Sequence, residues 1–418
     1  MRNETILCVA TRAWDSLWRD SQQIMSRIAA DNRVLYFEPG RNPDRALGPE
    51  LWRNLPNFLA LRAREVRHNL TVIPTPSCLP MARKSLPHSV LQVTTPWAIK
   101  VNAQILIRHI RRAMSTFDVR SPILWLYEPR QLDLVGKFGE KLVCYYNYDD
   151  FPEFAHNKRI RHLLRRLDND LVRKSDVVFT TSRGQWQRSK ELNPATHLIP
   201  NGVDFDLFHR ALDPGTVTAP DIAPLRRPII GYVGWLGYQI DVDLLLFVAE
   251  ACPDCTLVLV GPDCLAEDTR RRRLHSLPNV RFLGQKQIQD LPSYLKAVDV
   301  ALVPYVIGDH TLTVYPLKLH EYLAAGRPIV ATALPELQPF REVVRVADTY
   351  ADLVQQIRVA VEGDSPEAIA ARVAVARENT WDRRVAEIHR VLDAHLNGGR
   401  EKPVEEYIHR LDALQPAK

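Results

Sequence analysis

The sequence predicts an α/β protein made of two doubly wound parallel-sheet domains in series. Three observations carry this. Short apolar runs alternate with amphipathic stretches along almost all 418 residues, the pattern of strands joined by crossover helices. The runs are continuous rather than alternating, as expected of strands covered on both faces. The chain is also too long for one ordinary core and suits two domains of roughly 150–200 residues.

In the first half the predicted strands are residues 6–10, 34–37, 70–73, 123–126, 142–146, 177–180 and 197–199, with helices over 21–30 and 158–174. In the second half they are 229–233, 256–260, 280–283, 300–304, 329–332 and 344–346, with helices over 242–251, 291–298 and 317–325. The pattern breaks near 205–228, where Leu212-Asp-Pro-Gly-Thr-Val-Thr-Ala-Pro220 reads as a linker. Two such domains would place the carboxyl ends of their strands, where α/β sheets bind ligands, across a common cleft.

Composition narrows the function classes. At 46% hydrophobic and 25% charged, with no repeat of solenoid period, the chain is globular. The net charge of +6 is uneven: the first 212 residues hold 32 Lys+Arg against 21 Asp+Glu, and the remainder 23 against 28. A basic first half suggests an anionic partner such as a membrane surface, a lipid-pyrophosphate or an acidic glycan, or else a solvated face. Nucleic acid is not expected, because no reader motif accompanies the charge. The six cysteines sit mostly in apolar runs and suit buried thiols in the cytoplasm. Cys252-Pro-Asp-Cys255 has CxxC spacing with Cys264 nearby, but a zinc site would want a fourth ligand. No signal peptide or spanning helix is expected, so membrane contact would be peripheral.

The most informative segment is Thr313-Val-Tyr-Pro-Leu-Lys-Leu-His-Glu-Tyr-Leu-Ala-Ala-Gly-Arg-Pro-Ile-Val-Ala-Thr332. Pro316 suits the first position of a helix, where its missing N–H has no partner to lose. Gly326 supplies a left-handed cap before the next strand. The free amides around Val314 to Leu317 would form an anion site suited to pyrophosphate, with the charge of Lys318 beside it. Glu321 lies on the same helix face and would accept two ribose hydroxyls. The plain alternative is an amphipathic helix with a surface Lys–Glu pair.

Pro316-Leu-Lys-Leu-His-Glu-Tyr-Leu-Ala-Ala-Gly-Arg-Pro-Ile-Val330 resembles the donor-binding signature of family 4-like GT-B glycosyltransferases (glycosyl transferases group 1), nearest the teichuronic-acid and surface-polysaccharide branch. Ile199-Pro-Asn-Gly-Val-Asp-Phe-Asp-Leu-Phe208, Ile230-Gly-Tyr-Val-Gly-Trp-Leu-Gly237, Asn279-Val-Arg-Phe-Leu-Gly284, Leu291-Pro-Ser-Tyr-Leu295, Asp299-Val-Ala-Leu-Val-Pro304 and Trp381-Asp-Arg-Arg384 resemble further family segments. The resemblance is strong over 175–335 and weaker before it.

It implies the GT-B fold: two Rossmann-like domains facing across a cleft. Residues 1–210 would be the acceptor side, 228–380 the nucleotide-sugar donor domain, and 381–418 a helical segment partly crossing back. Glu321 would hold the ribose, and the backbone near Gly284–Lys286 would pack on the base. Gly234 would admit the phosphates, with Trp235 beside it, and Pro316, Leu317, Lys318 and Thr313 would complete the donor site. Thr313 stands where relatives often carry a sugar-contacting glutamate, and Trp235 and Gln239 replace a basic pair. Lys318 would then carry the diphosphate charge, helped by the hydroxyls of Thr311 and Thr313. The partners implied are a nucleotide-sugar donor and a glycan or lipid-linked acceptor. Retention of anomeric configuration is expected from the resemblance alone.

On the acceptor side, Asp149 and Asp150 follow a predicted strand in Tyr145-Tyr-Asn-Tyr-Asp-Asp-Phe151. Either would serve as general base, or simply cap the next helix. Arg12, Trp14, Asp15 and Glu128 are further candidates after strands. Residues 95–114 and 158–167 mix apolar faces with clustered basic residues and would lie on an anionic membrane or pack on the sheet. No GxGxxG motif is evident and no Asp-x-Asp triplet stands as a metal motif, so neither a redox cofactor nor a required metal is expected. Two rival functions share the scaffold: a sugar-nucleotide epimerase, and a nucleotide-sugar-binding subunit that has lost catalysis.

Overall fold

The computed structural model describes residues 1–16, 18–40, 61–76, 88–155, 157–308, 311 and 313–398. Its contacts divide the described chain into two compact units, 1–200 with 385–398, and Asn201–Arg384.

The first unit contains β1 (Thr5–Val9), β2 (Arg33–Glu38), β3 (Arg64–Arg67), β4 (Leu70–Pro74), β5 (Ile123–Leu126), β6 (Leu142–Asn147), β7 (Val177–Thr180) and β8 (Thr196–Leu198). They form one sheet in the order β3-β4-β2-β1-β5-β6-β7-β8. The strands are parallel except β3, which runs antiparallel to β4. That edge strand, Arg-Glu-Val-Arg, carries no apolar run and escapes a reading by hydropathy. Leu7, between Leu35 and Leu124 in register, belongs to an apolar cluster with Phe37, Leu126 and Val178. Ile107, Ile110 and Ala113 of the His88–Thr116 helix and Leu171 and Val172 of the Lys158–Lys174 helix pack onto it. On aromatic positions the sheet stacks Trp125 against Tyr146 and Phe179, with centroids 6.0 and 5.7 Å apart.

These contacts bear differently on the two basic helices. In the His88–Thr116 helix the apolar face is taken up by the sheet while Arg108, Arg111 and Arg112 point to solvent. Residues 95–114 are therefore a packed helix with a basic outer face, although Trp97 stays 61% exposed. The Lys158–Lys174 helix differs: Ile160, Leu163, Leu164 and Leu167 are only half-buried.

The second unit contains β9 (Ile229–Val233), β10 (Thr256–Val260), β11 (Val280–Gly284), β12 (Val300–Val303), β13 (Ile329–Thr332) and β14 (Arg345–Ala347). All are parallel, in the order β11-β10-β9-β12-β13-β14. Gly231 sits mid-strand in β9 because a Cβ there would lie 2.5 Å from Val298 Cγ2. The stretch expected to be a linker is folded. Phe205–His209 is helical, Ala219 N–H donates to Ser293 O at 3.3 Å, and Ile222 is fully buried. Val203 bridges Thr380, and Gly202 is required there, since a Cβ would meet Trp381 N at 2.7 Å. The helix expected over 291–298 is a single short turn, Leu291–Leu295.

Candidate functional site

In the second unit strand order reverses between β9 and β12, the position where open α/β sheets bind ligands at their carboxyl edge. Three glycines meet there. Gly234 N–H donates to Val260 O and Gly261 N–H donates to Gly284 O, both at 2.8 Å. A Cβ on Gly261 (φ +145°) would lie 1.7 Å from Gly234 O, so the backbones touch where other residues would hold them apart. Gly261 is absent from the sequence prediction, although its place directly after an apolar run is the same signal that marks Gly234.

The loop after Gly234 is held by its own backbone. Trp235 O accepts from Tyr232 Oη at 3.1 Å and Gln239 Nε2 at 2.8 Å, and the half-buried Trp235 ring lies over Gly237. Val306 N–H donates to Gln239 O, and Asp241 N–H to Pro304 O, both at 2.9 Å. The loop after β12 is thereby joined to the glycine loop.

That second loop leads to the Lys318–Ala324 helix, which starts two residues after Pro316. Pro316 is not its first residue; it forms the preceding tight turn, accepting from Leu319 N–H at 3.2 Å. Val314 N–H is used by Thr311 O at 3.2 Å, which reduces the amide cluster expected around 314–317. The Thr311 hydroxyl is buried in its own loop, accepting from Gly308 N–H at 3.0 Å and donating to Val306 O, so it is not presented to a phosphate. Thr313 and Leu317 are half-buried and Pro316 buried. At the other end, Arg327 N–H bonds Tyr322 O and Gly326 N–H bonds Leu323 O, each at 3.0 Å, with Gly326 at φ +67°. This is the Schellman cap expected of Gly326.

Lys318 Nζ and Glu321 Oε2 are 2.8 Å apart, with side chains 18% and 13% exposed. The pair faces the glycine loop: a Cβ on Gly234 would come within 2.9 Å of Lys318 Cε. Two further residues place it, each inside a family-like segment but neither expected as a site residue. The buried Tyr322 hydroxyl accepts from Val233 N–H at 2.8 Å and donates to Val233 O at 3.3 Å, tying the helix to the end of β9. Asn201 Nδ2 donates to Tyr315 O at 3.0 Å, fixing the turn before Pro316. Gly284 stands exposed at the end of β11, and nearby Lys286 is taken by Asp221 at 2.7 Å.

In the first unit the strand order reverses between β1 and β5. Asp149 follows β6 and is half-buried; desolvation, opposed by Arg19 and Arg12 and reinforced by Asp20 and Asp150, pushes its carboxyl up to about 7. Asp20, whose own carboxyl is raised by burial, and Arg19 carry no motif and escape sequence reading. Among the described residues, Arg12 Nε and Asp20 Oδ2 are buried without a hydrogen-bond partner. Arg12 thus lies in the charged group around Asp149.

The other acceptor-side candidates have different roles. Asp150 is 3% exposed and held between Arg165 and Arg188, each at 2.9 Å, so it is a tether and not a base. Trp14 is buried edge-on against Trp18 and Tyr36, and its backbone N–H donates to Glu38 Oε2 at 2.8 Å; it is a packing residue, since its ring is shielded from any acceptor. Asp15 pairs at the surface with Arg64 at 2.6 Å, and Glu128 pairs with Arg130. Among the described residues no three His, Cys, Asp or Glu side chains are grouped to hold a metal. Cys264 follows the carboxyl end of β10 while Cys252 and Cys255 precede its start, which separates the cysteines that sequence proximity brought together.

A family model described as glycosyl transferases group 1 matches residues 227–379. Residues 227–379 are a glycosyl transferases group 1 domain. The Lys318–Glu321 pair and all three glycines lie inside this group 1 domain. A 142-residue stretch is 34% identical to TuaH of Bacillus subtilis, named as a teichuronic acid biosynthesis glycosyltransferase. The match spans 33% of this chain and 34% of TuaH, about a third of that relative's length. Among solved structures, sucrose-phosphate synthase from Thermosynechococcus elongatus is 17% identical with a TM-score of 0.67, covering 95% of this chain and 100% of that one. Anabaena HepE in complex with UDP and glucose is 15% identical with a TM-score of 0.59, covering 94% and 100%. At these identities the likeness concerns fold, and the fold around the group 1 domain is GT-B. No described helix is long and apolar enough to cross a membrane.

Proposed function

We propose that this protein is a glycosyltransferase that moves a sugar from a nucleoside-diphosphate sugar to a glycan or lipid-linked acceptor, with retention, in cell-surface or exopolysaccharide assembly. One observation carries the reading: the Lys318–Glu321 pair stands against Gly234 at the strand-order switch of a group 1 domain. The surface-polysaccharide context rests on the likeness to TuaH.

In this reading Lys318 supplies positive charge where the leaving diphosphate develops negative charge, and Glu321 accepts ribose hydroxyls. Without donor each side chain satisfies the other. Donor binding redistributes them, the ammonium to phosphate and the carboxylate to ribose. The glycine contacts remove Cβ atoms from the phosphate path. Asp149 orients or deprotonates the acceptor hydroxyl. No metal is assigned a role, and the half-buried basic helix Lys158–Lys174 would place the protein peripherally at the inner face of the membrane.

The test is calorimetric titration of UDP, GDP, ADP, CDP and dTDP against wild type, Lys318→Ala and Glu321→Gln. One nucleotide should bind at micromolar concentration and weaken about tenfold or more in each variant, a loss of about 1.4 kcal/mol or more. Absence of binding, or binding indifferent to both changes, would sink the proposal. Nucleotide binding without transfer would leave a non-catalytic subunit, and sugar-nucleotide turnover without acceptor an epimerase.

A further inference from the structure

The Cys252-Pro-Asp-Cys255 turn lies between the Val242–Ala251 helix and the start of β10, at the opposite edge of the sheet from the three glycines. Cys255 N–H donates to Cys252 O at 3.1 Å, closing a four-residue turn. Such a turn keeps its end Cα atoms within about 7 Å, the separation a disulfide spans. Asn279 Nδ2 holds the turn by donating to Ala249 O, Cys252 O and Cys255 O at 2.8, 3.2 and 3.3 Å. Arg358 donates to Ala251 O at 3.2 Å, which sets its guanidinium beside the same turn. Both cysteines are free; Cys252 is 6% exposed and Cys255 half-buried.

We propose that Cys252 and Cys255 are a redox-active dithiol that exchanges with small disulfides of the glutathione class. Helix C-termini disfavour a thiolate, so this one needs compensation. The Cys255 S–H and the Arg358 guanidinium supply it, drawing the Cys252 thiol down to about 7 against the effect of burial. Cys255 is pushed up by the same shared proton, with Asp254 raising and Arg226 lowering it. The half-buried Cys255 takes the first step: it passes its S–H proton to the Cys252 thiolate, attacks one sulfur of glutathione disulfide and expels one glutathione thiolate, which takes that proton back from Cys252. The Cys252 thiolate then attacks Cys255 Sγ and expels the second. The thiol–thiolate pair is oxidised to a disulfide and one glutathione disulfide is reduced to two glutathiones, one carrying the Cys255 proton and the other taking a proton from solvent.

The test uses full-length protein carrying Cys264→Ser, so that the tryptic peptide 227–270 retains only the two cysteines of the turn. After equilibration with glutathione disulfide and alkylation, that peptide should be about two mass units light and unalkylated. Adding Cys252→Ser should trap a glutathione adduct on Cys255, while adding Cys255→Ser should leave buried Cys252 free of adduct. A peptide recovered with both thiols alkylated, or a glutathione adduct persisting with Cys252 intact, would overturn the proposal.

Discussion

Asp149 and Asp150 are adjacent, share one loop and look alike in sequence, yet their surroundings give them opposite chemistry. Asp150 is held between two guanidiniums. Its replacement by Ala leaves Arg165 and Arg188 facing each other in a mostly buried site. We expect a loss of roughly 2–3 kcal/mol, read by urea unfolding, after discounting for their partial exposure. Asp149 carries a raised pKa of about 7 from desolvation. As a base it works only when deprotonated, so transfer activity should rise with pH through about 7, and Asp149→Asn should abolish that limb with the fold intact. The linkage sign is distinctive. A carboxyl raised in the folded state binds more protons folded than unfolded between about pH 4 and 7, so it favours folding below that window and loses this as pH rises. Asp149→Asn should therefore stabilise the protein at pH 8 by roughly 2 kcal/mol relative to wild type, and by little at pH 4. Equal effects at the two pH values would show that Asp149 titrates normally. Sequence located this pair at a strand end, but only three dimensions show the arginines from the following helices that separate their roles.

At the scale of elements, the Lys318–Ala324 helix is short, and its position depends on contacts rather than intrinsic helicity. Its stop was legible, because a Gly-Arg-Pro sequence demands a left-handed cap. Its start was less so: the turn at Pro316 is tighter than a helix and is closed by Leu319 N–H donating to Pro316 O. The anchor to β9 was not legible at all. Tyr322 reads as one more apolar residue of the inner face, whereas its hydroxyl satisfies the buried N–H of Val233. Tyr322→Phe keeps the ring and strands that donor, costing about 1–3 kcal/mol in thermal unfolding. Because Val233 immediately precedes Gly234, nucleotide affinity should fall too, although Tyr322 touches no ligand in our reading. Unchanged affinity would mean the glycine loop holds its shape without the helix. Gly261→Ala should be harsher. Its Cβ meets a backbone oxygen, not a flexible side chain, so the loop must move and nucleotide binding should be lost even where the protein folds.

For the whole molecule, the legible part was the succession of two parallel sheets, because buried strands are apolar on both faces and helices separate them. Edge features were not legible, as with the charged β3, since an exposed strand has no hydrophobic signature. The charge asymmetry belongs to this scale as well. Of the two basic stretches, 95–114 spends its apolar face on the sheet, whereas the Lys158–Lys174 helix leaves Ile160, Leu163, Leu164 and Leu167 half-buried beside exposed Lys158, Arg159, His162 and Arg166. Half-buried leucines flanked by exposed cations suit an anionic interface, with each Lys or Arg near the surface contributing about 1 kcal/mol. The protein should therefore sediment with vesicles rich in anionic phospholipid and not with neutral ones. The attraction is screened beyond about 10 Å at 0.1 M salt, so binding should weaken steeply as salt rises. Replacing Lys158, Arg159 and Arg166 together with Glu should abolish vesicle binding while leaving nucleotide binding intact, because none of these residues belongs to the group 1 domain. Equal binding to neutral vesicles, or indifference to the triple substitution, would remove this helix from the membrane and return its basic face to the solvent.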